Sequence, residues 1–223
     1  MNSLLQNITK EPLFVLDKLY KIDSYIPISL SSSNKEINFD VSSSKKWTNY
    51  INNYLKNNNA KVAFGGYLEK RDIYNRSSYF KDNERDIHLG IDLWCKEGTN
   101  VLAVIDGEIH SFENNKNYGN YGPTIILKHQ VESITFYSLY GHLTLQSLKN
   151  LKVGDKIKKE QIIGQLGSSS VNGDYAPHLH FQLIIDLQNN IGDYPGVSSK
   201  KNADFYAKNC PNPNLLLKLP NEI

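Results

Sequence analysis

Two short stretches of the chain alternate strictly between apolar and polar positions. From Ile87 to Trp94 every odd position is Ile or Leu, while the even positions are His88, Gly90, Asp92 and Trp94. The same division recurs in His178-Leu179-His180-Phe181-Gln182-Leu183. A period of two belongs to a strand with one buried and one displayed face, so each stretch is predicted to show its polar side chains on a single side. Further short β-like runs lie at Val62–Phe64, Val101–Ile105, Glu108–Phe112, Thr124–Lys128, Ile134–Tyr140, Ile162–Leu166 and Leu179–Ile185. Turn signals such as Asp106-Gly107 and Gly119-Asn120 separate them. Many short strands with turns between them predict a mainly β, antiparallel fold. Val153–Ile157 followed by Ile162–Gly164 reads as a tight hairpin of the lipoyl-domain kind, although no exposed Lys between apolar flanks marks a lipoyl carrier.

Residues 1–60 follow a different pattern. Trp47, Tyr50, Ile51, Tyr54 and Leu55 recur at helical spacing and predict a one-faced helix near 47–56. The preceding Ser42-Ser43-Ser44 supplies N-cap candidates, and Asn57-Asn58-Asn59 ends the helix. The expected organisation is an N-terminal extension over 1–60, a β domain over 61–185 and a tail over 186–223 that packs on the domain. Within the tail, Asp193-Tyr194-Pro195-Gly196 reads as a turn, Ala203–Lys208 as a short helix and Leu215–Leu219 as an apolar docking segment.

Composition narrows the function classes. With 223 residues the chain can bury one sizeable core, and 39% hydrophobic against 22% charged residues is ordinary for a globular protein. A net charge of +2 is too small for a nucleic-acid footprint, so no nucleic-acid partner is expected. No apolar run reaches the length of a membrane span. Met1 to Ile8 carries no basic residue and Leu13–Leu16 is flanked by charges, so the elements of a secretory signal are missing. The expected compartment is therefore cytoplasmic, or extracytoplasmic if export uses another route. Cys95 and Cys210 stand outside any CxxC or Cys/His cluster, which argues against a thiolate metal site; a bond between them stays open but is not expected in an unexported chain.

The candidate chemistry lies on the displayed faces. Two imidazoles and a carboxylate are a zinc-competent set. On a flat strand His88 and Asp92 would be about 13 Å apart, so a bend at His88 is required, with Gly90 leaving room for the ion. His178 and His180 share one face of their strand, and spacing alone leaves open which of them binds metal. Such a site with an open fourth position holds a water whose pKa falls to about 7. His142, in Tyr140-Gly141-His142-Leu143, follows a Gly in an expected exposed turn. His110 and His129 match no ligand position and read as structural, and Tyr118, Tyr121 and Tyr140 as packing or rim residues.

His88-x-x-x-Asp92, the Gly141-His142-Leu143 turn and Pro177-His178-Leu179-His180-Phe181 together resemble the lysostaphin/LytM-type zinc endopeptidases of bacterial peptidoglycan. The resemblance covers roughly residues 61–185, including Asn117–Tyr121. It implies an antiparallel lysostaphin-like (duplicated hybrid motif) β fold with one zinc ion held by His88, Asp92 and His180. His142 and His178 are then the catalytic imidazoles, and Arg71 matches the family's upstream arginine. The implied activity is hydrolysis of peptide bonds in peptidoglycan stem or cross-bridge peptides by a metal-activated water. Two alternatives stand beside it: a zinc-bound, non-hydrolytic cell-wall binding or regulatory module, and an intracellular hydrolase of small peptides or amino-acid conjugates. Glu160 stands where the family's hairpin expects Gly, and Ser168–Ala176 departs from its usual small-residue run.

Overall fold

The computed structural model describes residues 2–81 and 84–220. Its strands are β1 (Tyr25–Pro27), β2 (Val62–Gly65), β3 (Arg85–His88), β4 (Ile91–Trp94), β5 (Asn100–Leu102) and β6 (Gly107–Asn115). The others are β7 (Gly122–Val131), β8 (Ile134–Gly141), β9 (Lys156–Ile157), β10 (Ile162–Gln165), β11 (His178–Ile184) and β12 (Val197–Ser199). Eight of them form one sheet in the order β1-β2-β4-β11-β8-β7-β6-β9, antiparallel except for the β1–β2 edge. Two small antiparallel pairs, β10–β5 and β12–β3, complete the β structure.

The alternation read from the sequence is what sorts the faces. Ile91, Leu93, Leu179, Phe181 and Leu183 enter the main core beside Ile125, Leu127, Phe136 and Tyr140. Asp92, Trp94, His178, His180 and Gln182 take the opposite face, and they too are buried because other segments cover it. Burying each large apolar side chain contributes about 1.5–3 kcal/mol, so this core holds β4 and β11 firmly in register.

Both flanks contribute to the packing. Leu5, Leu13, Val15 and Leu16 join the main core from one end, and Leu216, Leu217 and Leu219 from the other. The predicted helix spans Ser44–Asn57, with the Ser43 hydroxyl accepting from the Lys46 amide as N-cap. Its Trp47 and Ile51 pack with Ile28 and Leu30 against Ala63, Trp94, Tyr175 and Val197, which carries the helix to the rim of the polar face. Cys95 and Cys210 are buried free thiols.

Two expectations change here, and one strand is added. The run Ile87–Trp94 is two strands in two different sheets: β3 pairs with β12, and β4 with β2 and β11. The hairpin expected over Val153–Gly164 does not form, because β9 pairs with β6 and β10 with β5. Apolar alternation cannot tell which neighbour a short strand will choose. The stretch Asp193–Gly196 leads directly into β12, which the sequence left unassigned. Among the described residues no helix is long and apolar enough to cross a membrane.

Candidate metal centre

Adjacent strands place the polar groups side by side. His180 on β11 lies opposite Asp92 on β4 and opposite Gly141 on β8, and His142 follows Gly141 immediately. His88 arrives from β3. The chain passes from one sheet to the other through Leu89 and Gly90, with the Leu89 amide donating to the Gly196 carbonyl at 2.9 Å. Gly90 serves this arrangement differently from expectation. A Cβ there would lie 2.8 Å from the His180 ring and 2.7 Å from the Phe181 carbonyl, so the missing side chain makes room for the His180 ring.

Three acceptor atoms converge. His88 Nε2 is 2.8 Å from His180 Nδ1 and 3.2 Å from Asp92 Oδ1, and His180 Nδ1 is 3.1 Å from Asp92 Oδ1. The outer nitrogen of each ring fixes its proton. His88 Nδ1 faces the Gly66 carbonyl at 2.8 Å; a carbonyl can only accept, so Nδ1 carries the hydrogen and Nε2 presents a lone pair. The Gln182 amide nitrogen donates to the Pro195 carbonyl at 3.1 Å, which turns its Oε1 toward His180 Nε2 at 2.8 Å. His180 therefore carries its hydrogen on Nε2 and aims the Nδ1 lone pair inward. Two imidazole lone pairs and a carboxylate facing one another at these distances repel unless a cation sits between them. Zinc bonds of about 2.0–2.1 Å set tetrahedral ligands about 3.3 Å apart, so this donor set fits one zinc ion.

Asp92 is held ionised. Burial would raise its carboxyl, but His88, Arg71 and His178 outweigh that and push it well below the usual carboxylate range. The Arg71 guanidinium donates to Asp92 Oδ2 at 2.5 Å and to Glu69 at 2.7 Å. Gly66 makes way for it: with φ of +100°, its Cβ would fall 1.8 Å from Arg71 Nη2. Burial depresses His88 to about 4, which keeps the ring neutral and free to ligate.

His142 and His178 stand beside the triad with ring centroids 4.2 Å apart. His142 Nδ1 donates to the Asn172 carbonyl and His178 Nδ1 to the Ala176 carbonyl, each at 2.7 Å, so both Nε2 lone pairs are free. His178 Nε2 lies 3.7 Å from Asp92 Oδ1. Burial lowers both pKa values, and for His142 the nearby His178 adds to the effect. The exposed turn expected for His142 is not found, since the residue is 5% exposed with a left-handed backbone at φ of 63°. Backbone strain of that kind persists only where surrounding contacts hold it. The five side chains share a partly open cavity of about 50 Å3, room for a few waters, walled by Trp47, Tyr74, Phe80, Trp94 and Tyr175.

His110 and His129 lie away from this cluster; His129 is buried between the Asp106 carbonyl and the Ser138 hydroxyl. Tyr118 is at the surface and Tyr140 in the core, but the Tyr121 hydroxyl reaches within 3.3 Å of His180 Nε2. Sequence reasoning missed Gly66, Tyr121 and Gln182. Only Gln182 left a trace, as the next polar position after His178 and His180 on the same strand face.

Part of the chain is similar to known peptidases. Residues 86–191 match the model of peptidase family M23. The glycyl-glycine endopeptidase ALE-1 of Staphylococcus capitis is 36% identical over 109 residues, covering 48% of this chain and 28% of its own length. Lysostaphin of Staphylococcus staphylolyticus is 36% identical over 104 residues, covering 47% of this chain and 20% of its own. The match thus spans less than a third of each of these relatives. The crystallised catalytic domain of lysostaphin from Staphylococcus simulans aligns at 27% identity over 67% of this chain and 93% of that one, with a TM-score of 0.40.

Proposed function

We propose that the stretch matching family M23 at residues 86–191 makes this chain a zinc-dependent metallopeptidase that hydrolyses peptide bonds in peptidoglycan stem or cross-bridge peptides. One observation carries the reading: three acceptors on His88, Asp92 and His180 converge while the outer nitrogens of both rings are already engaged. A zinc ion held there supplies Lewis acidity and lowers the pKa of a water to about 7. Everything else falls to the chain's own side chains. His178 and His142 each keep Nδ1 tied to a carbonyl, so Nε2 is the atom that accepts a proton from the attacking water. Of the two, only His178 has the Asp92 carboxylate within 4 Å to steady the resulting positive charge, which makes it the stronger base. Once protonated, an Nε2–H becomes a donor to the oxyanion that develops on the scissile carbonyl. The near-complete burial of these side chains among aromatic residues limits bulk water and strengthens these interactions.

The burial of the cluster's five side chains also favours a second reading, a zinc-bound module that does not hydrolyse. Mass spectrometry of fragments released from purified peptidoglycan decides between them, with the His178→Ala protein alongside. New peptide termini from the zinc-loaded wild type alone support the peptidase and identify its bond. Zinc confirmed bound, with wall binding and no product, would favour the module.

A further inference from the structure

A second concavity, a groove of about 420 Å3, adjoins the metal cavity on its tail side. Arg85 and Val197 line both spaces, so the two adjoin at these side chains. The rest of the groove presents Pro195, Ser198, Ser199, Lys201, Asn202 and Tyr206, and among the described residues no acidic one lines it. Arg85 is fixed in place by β3–β12 pairing opposite Ser199. Its guanidinium stacks over Tyr79 and Phe80, with centroid distances of 4.6 and 5.0 Å, and donates from Nη2 to the Tyr79 carbonyl. Its Nε is shut off from solvent and has no hydrogen-bond partner among the described residues. Asp193 is near enough for the arginine charge to lower its carboxyl, but burial outweighs that and leaves it raised; no ion pair to Arg85 forms within 4 Å among the described residues.

A half-buried guanidinium with no carboxylate paired to it among the described residues, in a groove it shares with an exposed lysine, offers an anion an uncompensated positive charge. We propose that this groove is a subsite for a carboxylate of the substrate peptide, read by Arg85 and Lys201 and supported by the hydroxyl and amide groups around them. A planar carboxylate suits the guanidinium fork, and a peptide carrying one next to the reacting bond would bridge the groove and the metal cavity. The inference rests on the peptidase reading for the nature of the substrate.

The test uses zinc-loaded protein and two synthetic stem-type peptides of one sequence, with carboxylates either free or all amidated. Calorimetric titration of the wild type is expected to show roughly tenfold tighter binding of the free acid. Lys201→Gln changes an exposed residue and should reduce that preference roughly threefold, while Arg85→Gln should abolish it. Equal affinity of the wild type for both peptides overturns the subsite, whether or not either peptide is cleaved. The two readings fail separately. Cleavage without acid selectivity removes the subsite and leaves the peptidase; acid-selective binding without cleavage of any bond does the reverse.

Discussion

Arg71 Nη1 lies 2.5 Å from Asp92 Oδ2, and both side chains are 3% exposed. The pair is therefore both a structural element of the fold and a support for a metal ligand. Removing one partner of a buried pair strands the other, at a cost of about 3–5 kcal/mol. Arg71→Ala should lower the stability of the metal-free protein by that order in urea unfolding, and Arg71→Lys should recover part of it. Added zinc should narrow the gap, because the ion replaces the lost positive charge beside Asp92.

Gln182 sets the tautomer of a ligand from outside the ligand shell. Gln182→Leu removes the acceptor that holds the hydrogen on His180 Nε2. Support of this kind is worth about 10–100-fold in metal affinity. Competition with a chromophoric chelator should show a loss in that range, and unchanged affinity would mean that Tyr121 alone suffices to orient the ring.

His142 and His178 are expected to separate catalysis from metal binding. Neither belongs to the converging triad. His142→Ala and His178→Ala should each lower kcat by about 10²–10⁴-fold while the bound zinc stays near one per chain. Metal analysis beside the rate measurement checks both halves.

His129 gives the fold an acid sensitivity independent of the site. Burial lowers its pKa from 6.5 to about 4. Between these values the unfolded chain binds a proton that the folded chain rejects, so stability falls as pH drops from 6.5 towards 4 and levels off below. The full effect is about 3 kcal/mol. The stability difference between wild type and His129→Gln, followed across this window, should shrink on acidification; proton competition for zinc is common to both proteins and cancels.

The site was legible wherever one strand face carried the information. Period-two spacing in His178–Leu183 put His178, His180 and Gln182 on one side, and the side chains do share it. The break between β3 and β4 was only half legible. Residue spacing demanded a bend near His88, but β12, the partner that draws β3 into another sheet, lies more than a hundred residues away in a stretch with no periodicity. Gly66 was invisible for a related reason. Its role depends on φ of +100° and on an arginine five residues on, and neither is written in local hydropathy. The helix at Ser44–Asn57 was legible in its face and its cap, yet nothing in its sequence says that the buried edge of that face reaches the metal cavity.

The carbonyls that orient the two imidazole ligands come from opposite sides of the matched stretch. Gly66 orients His88 directly, and Pro195 orients His180 through Gln182; both lie outside the stretch 86–191. A graft of that stretch alone into another protein would carry every ligand but leave both rings free to pick the wrong tautomer. The transferable unit is therefore larger than the homologous one. Two lineages could keep identical ligands and still diverge in metal affinity through substitutions that any comparison confined to the shared region would miss.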